Sequence, residues 1–360
     1  MSVQDNTMIN DIRTPSQFKG ISFSKYKKTD VREQLLKNMC NGKIEPACYW
    51  SAELICAGHF MELWEVIIHY IGKHIHLGNP KLVIYLEMRF NIFRNIMSQG
   101  HFINEIELRN NDKIRKLFAE VVSALTVSNK KHSFESIKIN RLEEFDMTLM
   151  TERLKAPHVR YIEDIFKNKD PKELYIAINE FAYNISPEGS NMRTASYWIE
   201  WVIEFDIICK KKKEPTLCER RIVPVESKYQ RDIIWLIWDC LLKYCEEKKN
   251  PYLDKIMQSI MNVFCIKYTT ASCKKRRYLL YFAVALLTEP VPTGIEIVSK
   301  KDVIQNVVDK IDQLYKQVKK NEESPNTDYL FSNLDQRHTF EESVRRIEMV
   351  QSMDFANRPI

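Results

Sequence analysis

Residues 46–97 read PACYWSAELICAGHFMELWEVIIHYIGKHIHLGNPKLVIYLEMRFNIFRNIM, the densest apolar and aromatic stretch of the chain. Its apolar residues recur at helical spacing, which predicts three helices with tight punctuation. One runs from about Pro46 to Ala57 and breaks near Gly58, a second runs from about Phe60 to Lys73, and a third starts at Pro80. Pro46 and Pro80 suit a first helical turn, where a missing N–H forfeits no intrahelical bond. Gly58, Gly72 and Gly78 suit the left-handed residue that ends a helix. The stretch reads as a packed helical layer.

Composition points the same way. Glycine numbers 8 in 360 residues, about a third of its usual share. Turn-rich β sandwiches and glycine-loop nucleotide folds need more. With hydrophobic residues at 44% and aromatics at 11%, the expectation is an all-α protein, either a multi-helix bundle or a short solenoid. Mean hydropathy is −0.36, and no apolar run approaches the ~18 residues that a bilayer span requires. The polar start, MSVQDNTMINDIRTPSQ, lacks the apolar core of a signal peptide. Nine cysteines, Cys40, Cys48, Cys56, Cys209, Cys218, Cys240, Cys245, Cys265 and Cys273, include no C-x-x-C pair. They read as reduced thiols in a reducing compartment, without the paired spacing of a zinc site.

Outward from the helical layer, residues 1–28 are expected as an extended N-terminal arm, ending in the basic Lys25-Tyr26-Lys27-Lys28. Residues 29–190 form the first half of a helical domain. A capping box at Asp30-Val-Arg-Glu33 opens it, and a helix begins at Asp112 after Asn111. Residues 134–139 (FESIKI) alternate as one short strand would. Thr148 to Phe166 reads as one or two helices around Pro157, and Asp170-Pro171 opens another. Residues 191–290 form the second half. Residues 291–360 carry an amphipathic helix from Lys300 to Lys320, striped by Val303, Val307, Ile311, Leu314 and Val318. A last helix near Phe340 to Val350 precedes the tail. The amphipathic helix either docks on its own body or is offered to a partner.

The second half echoes the first. Ala47-Cys-Tyr49-Trp50 has a counterpart in Ala195-Ser-Tyr197-Trp198, and Leu63 to Tyr70 parallels Ile237 to Tyr244. Asp112-Lys-Ile114 matches Asp254-Lys-Ile256. An internal duplication of helical units is one reading of these matches, since each unit buries its face only by stacking on the next.

Few chemistries are legible. Glu65 and His69 lie one turn apart, and His74 and His76 follow, so a carboxylate and three imidazoles could hold a divalent metal. His59 is a fourth histidine of the stretch. Packing among Trp64, Val66, Ile67 and Ile68 is the alternative role. Glu200 with Glu204, and Glu143-Glu144 before Asp146, are acid pairs without the added lysine or acids of a metal nuclease. No G-x-x-x-x-G-K-[ST], G-x-G-x-x-G or G-x-S-x-G occurs. No cofactor is expected and no catalytic residue is assigned.

Basic bursts are the most suggestive feature, in a chain of net charge +6. Lys210, Lys211, Lys212 and Lys213 form one, Arg220 and Arg221 a second, and Lys274, Lys275, Arg276 and Arg277 a third. Lys130 and Lys131 make a weaker fourth. Lysine near a helix C-terminus is favoured by the macrodipole, but four in a row exceed that need. Stacked on one face, these corners would make a stripe for phosphates or an acidic protein.

Two resemblances rest on these residues. YWSAELICAGHFMELWEVIIHYIGKHIHLGNPKL, with CKKKKEPTLCERR and KKRRYLLYFAVALLTEP, resembles an uncharacterised protein family of nucleocytoplasmic large DNA viruses, over most of residues 40–290. More locally, Tyr49-Trp50-x-Ala52-x-Leu54 with Gly58, then His74-Ile75-x-Leu77-Gly78-x-Pro80, is similar to the helical C-terminal region of RarA-type clamp-loader-like ATPases, whose ATPase module is missing here. The first family carries no established activity; with the two arms, the basic corners and the reduced cysteines, the expectation is a non-enzymatic structural or interaction protein, a minor capsid or virion component located in the virion or the host cytoplasm. Its arms would contact other viral proteins. The second implies a helical DNA-binding accessory factor in replication or packaging. An enzyme with a cryptic site is the remaining alternative.

Overall fold

The computed structural model describes residues 7–99, 105–141, 143–145 and 151–323. Among the described residues there are thirteen α-helices and no strand. In chain order they are α1 (Lys28–Cys40), α2 (Ile44–Cys56), α3 (Phe60–Tyr70), α4 (Leu82–Gln99), α5 (Asp112–Val127) and α6 (Tyr175–Ile185). There follow α7 (Met192–Lys211), α8 (Ile234–Glu247), α9 (Pro251–Cys265), α10 (Ser272–Lys275), α11 (Arg277–Thr288), α12 (Lys301–Asp309) and α13 (Ile311–Lys319).

Helix α11 is the centre. Its sequence RYLLYFAVALLT is apolar on every face, and each residue from Tyr278 to Leu287 is buried, as an all-round apolar helix requires. It packs on α7, α8 and α9, and on the single π-helical turn (Ile71–Ile75) that continues α3. On one side α1, α2 and α5 form a layer covered by α12 and α13; on the other lie α6, α7 and α8. Trp64 and Trp238, at matching positions of α3 and α8, are both fully buried.

Glycine was read correctly at one position of three. Gly58 ends α2 with φ +77°. Gly72 is not left-handed; it admits α11, because a Cβ there would stand 2.9 Å from the Tyr278 backbone carbon. Gly78 serves the same purpose against the backbone of residues 129–131. The left-handed residue of that turn is His76, at φ +49°.

Other expectations need correction. Helix α1 begins at Lys28, which moves Asp30 into its first turn and leaves no capping box. Residues 134–139 are extended without a strand partner, since their neighbours are helices: Ser136 N donates to the Tyr278 hydroxyl and Ile137 N to that of Tyr281. Residues 151–166 form only a short 3-10 turn and bends, because their amides turn to side chains of α6. Lys155 N and Ala156 N donate to Glu180 at 2.9 and 3.0 Å. The amphipathic segment breaks at Lys310 into α12 and α13, which bury Ile304, Ile311, Leu314, Tyr315 and Val318 against the chain's own body. Val303, expected on that stripe, is exposed instead.

The N-terminal arm is fastened rather than extended over its described part. Ile9, Phe18 and Phe23 are buried. Arg13 and Asp11 form a buried ion pair at 2.5 Å, and Glu323 N donates to Asp11. Asp146 and the helix expected near Phe340 to Val350 lie outside the described residues.

Candidate polyanion-binding corner

Helices α7 and α11 run antiparallel. Near one end Ser190 Oγ donates to Thr288 O at 3.3 Å. Further along, Glu200 accepts from Tyr281 at 2.8 Å and pairs with Arg277 at 3.0 Å, while Glu204 faces Lys274 at 3.8 Å. This places the end of α7, with Lys210 to Lys213, beside the start of α10 and α11, with Lys274 to Arg277. Lys210 lies close enough to Cys273 on α10 to act on its thiol electrostatically.

The local chemistry explains the first burst. Helix α7 ends in a Schellman motif, with Glu214 N donating to Cys209 O at 3.0 Å and Lys213 N to Lys210 O at 3.2 Å. The left-handed position of that motif usually takes glycine, yet here it is Lys213 at φ +62°. Lys25, Lys249, Lys267 and Lys300 also have positive φ, so this glycine-poor chain turns with lysines and plants charge at its turns.

Loop 129–141 brings two cations that the sequence reading did not single out. It runs back along α11, from Lys131, paired with Glu289 at 2.5 Å, to Arg141, paired with Glu204 at 2.6 Å. Residues 136–141, Glu204, Lys274 and Arg277 line a shallow cleft of about 470 Å³, so Lys138 and Arg141 join the corner. The available signal was the alternation of FESIKI, which places Lys138 between the half-buried Ile137 and Ile139.

The twelve candidate cations divide sharply. Lys211, Lys212, Lys213 and Lys275 are exposed and make no ion pair among the described residues. Lys210 is tied to Asp206 one turn back, at 2.5 Å. Arg277 and Lys274 face Glu200 and Glu204. Arg276 is buried, paired with Glu65 and donating to Phe264 O at 2.6 Å. Arg221 is buried too, held by Asp170 at 2.6 Å and Asp239 at 2.7 Å. Arg220 is exposed and donates to Gln230 at 2.7 Å. Lys130 turns inward to cap the end of α5 at Thr126 O, 2.9 Å away, and burial pushes its ammonium down. Lys130 and Lys131 sit at the far end of α11, apart from the corner.

Glu65, His69, His74 and His76 do not converge. Glu65 is taken by Arg276, and His69 stands edge-on to Tyr278 at 5.3 Å. His76 packs on Phe282 at 5.2 Å with both ring nitrogens buried and unpartnered. Among the described residues no three His, Cys, Asp or Glu side chains gather where they could hold a metal ion. His59 Nε2 donates to the carbonyls of Phe18 and Ile21, tying down the arm. Glu144 accepts from Tyr197 and pairs with Arg153 at 2.6 Å. Burial raises the Glu200 carboxyl, with Arg277 opposing. Burial likewise pushes the thiols of Cys56, Cys218, Cys245, Cys265 and Cys273 up to about 12, far from the lowered values of a nucleophile.

Comparison of the chain with protein-family models, with curated proteins and with solved structures finds no match. Among the described residues no helix is long and apolar enough to cross a membrane.

Proposed function

We propose that this all-α chain is a non-enzymatic interaction protein that binds a polyanion, duplex DNA foremost, at the corner where α7 ends and α10 begins. The observation that carries the reading is the exposed Lys211, Lys212 and Lys213 at the end of α7 and Lys275 on α10, which make no ion pair among the described residues, together with Lys138, Arg141, Lys274 and Arg277 around the neighbouring cleft. A row of phosphates pairs with such exposed ammonium groups and releases its counterions on doing so. In a large DNA virus such a protein would serve replication or packaging, as a virion component or an accessory factor. The corner supports contact with DNA better than a tie to neighbouring chains through the arms, because the described part of the N-terminal arm is engaged by its own body.

Titration of a generic duplex across a salt series tests this. Four phosphate contacts give a slope of log affinity against log salt of about −4. Absence of binding at low salt would remove DNA as the ligand and leave the corner to acidic viral proteins.

A further inference from the structure

The loop that walls the cleft is fastened to the turn after α3 by a pair of imidazoles. His74 on the π-helical turn and His132 on the loop face each other, Nδ1 to Nδ1, at 2.9 Å. On either side of His132 the loop backbone is bonded to the same turn: Lys131 N donates to Ile75 O at 3.2 Å and Ser133 N to Lys73 O at 2.8 Å. The surroundings are mixed. The Tyr70 ring is 5.2 Å from His74 and the His69 ring 6.0 Å. Lys73 pairs with Glu135 at 2.8 Å and lies over the Tyr278 ring. From α1, Arg32 acts on His69, and Cys40 lies within electrostatic reach of Lys73 and Lys130.

Two Nδ1 atoms at this separation share one proton. In the neutral pair one ring donates and the other accepts. One added proton is tolerated, because the imidazolium donates to the remaining bare nitrogen. A second sets two N–H donors and two positive charges face to face beside Lys73, and the bond becomes a repulsion.

We infer that the His74–His132 pair is an acid-released latch. Its double protonation releases residues 131–133 from the turn after α3 and loosens the loop that carries Lys138 and Arg141 to the polyanion corner. The part concerning the polyanion rests on the function proposed above; the latch does not. Burial first, then His132, His69 and Lys73, push His74 down to about 4, with only Glu135 opposing, so the latch holds at neutral pH and opens in acid.

Hydrogen exchange of the Lys131 and Ser133 amides, corrected for intrinsic rates and followed from about pH 7 to pH 4, tests it. The expected result is a loss of protection of about tenfold or more at these two amides while the α11 amides stay protected. In His132→Gln the amide oxygen accepts from a fully protonated His74, so protection should persist in acid. Unchanged protection in the parent protein, or an equal loss in His132→Gln, would overturn the latch. Duplex affinity measured over the same range separates the two ideas. A loop that opens while affinity stays flat would uphold the latch and overturn its part in polyanion binding.

Discussion

In the burst at residues 210–213, three of four charges face solvent without a partner, whereas the burst at 274–277 is split between solvent and core. Lys275 is exposed without an ion pair, within electrostatic reach of Glu62, while Arg276, its neighbour, is buried against Glu65. Arg220 and Arg221 divide the same way, the first exposed and the second locked between Asp170 and Asp239. The difference follows side-chain chemistry. A guanidinium is weakly hydrated and presents a planar fork that satisfies two carboxylate oxygens, so it goes inside; an ammonium is strongly hydrated and stays out. A run of basic letters therefore mixes two roles, one holding the fold and one available to a ligand.

The largest effect expected from breaking this division is at Arg276. Arg276→Ala leaves Glu65 and the Phe264 carbonyl without their partner and should cost about 3–5 kcal/mol. Arg276→Lys should rescue little of it, because the fork is lost. Denaturant unfolding of the two variants checks this, and Arg221→Ala should behave alike.

Acid acts on the core next. Burial holds the His76 imidazole down at about 4. Its ordinary value is ~6.5. The unfolded chain therefore takes up this proton first as pH falls. Stability present above about pH 6.5 should drain away toward pH 4, by about 3 kcal/mol from this residue. A pH series of unfolding free energies for the parent and for His76→Asn should show that slope flattened in the variant.

Much of the architecture was legible because its causes are local. Helical spacing, Gly58 and the Asn111 cap, whose side chain accepts from Ile114 N at 3.2 Å, need only neighbouring residues. What failed depends on distant ones. Gly72 is required by the approach of α11 from two hundred residues away, and FESIKI is extended because the Tyr278 and Tyr281 hydroxyls wait for its amides. In the corner, Lys211 and Arg276 could not be ranked from sequence, since burial decides their roles. The residue type was the one usable clue.

Smaller effects sharpen the comparison further. Lys213→Gly removes a charge but relieves a left-handed lysine, so the protein should gain about 0.5–1 kcal/mol while binding DNA more weakly. Thermal unfolding and duplex titration should thus move in opposite directions. Replacing Lys211, Lys212, Lys213 and Lys275 together by Gln should change stability by less than about 0.5 kcal/mol per site, apart from the gain or loss at the strained position 213.

That quadruple variant also supplies the most direct test. Duplex affinity would be measured for it and for the parent protein over one salt series. The expected result is a parent slope of about −4 and a variant slope shallower by about 3 to 4, at equal foldedness. A variant that binds with the parent's affinity and slope, or a parent that does not bind at low salt, would contradict the assignment of this corner to a polyanion.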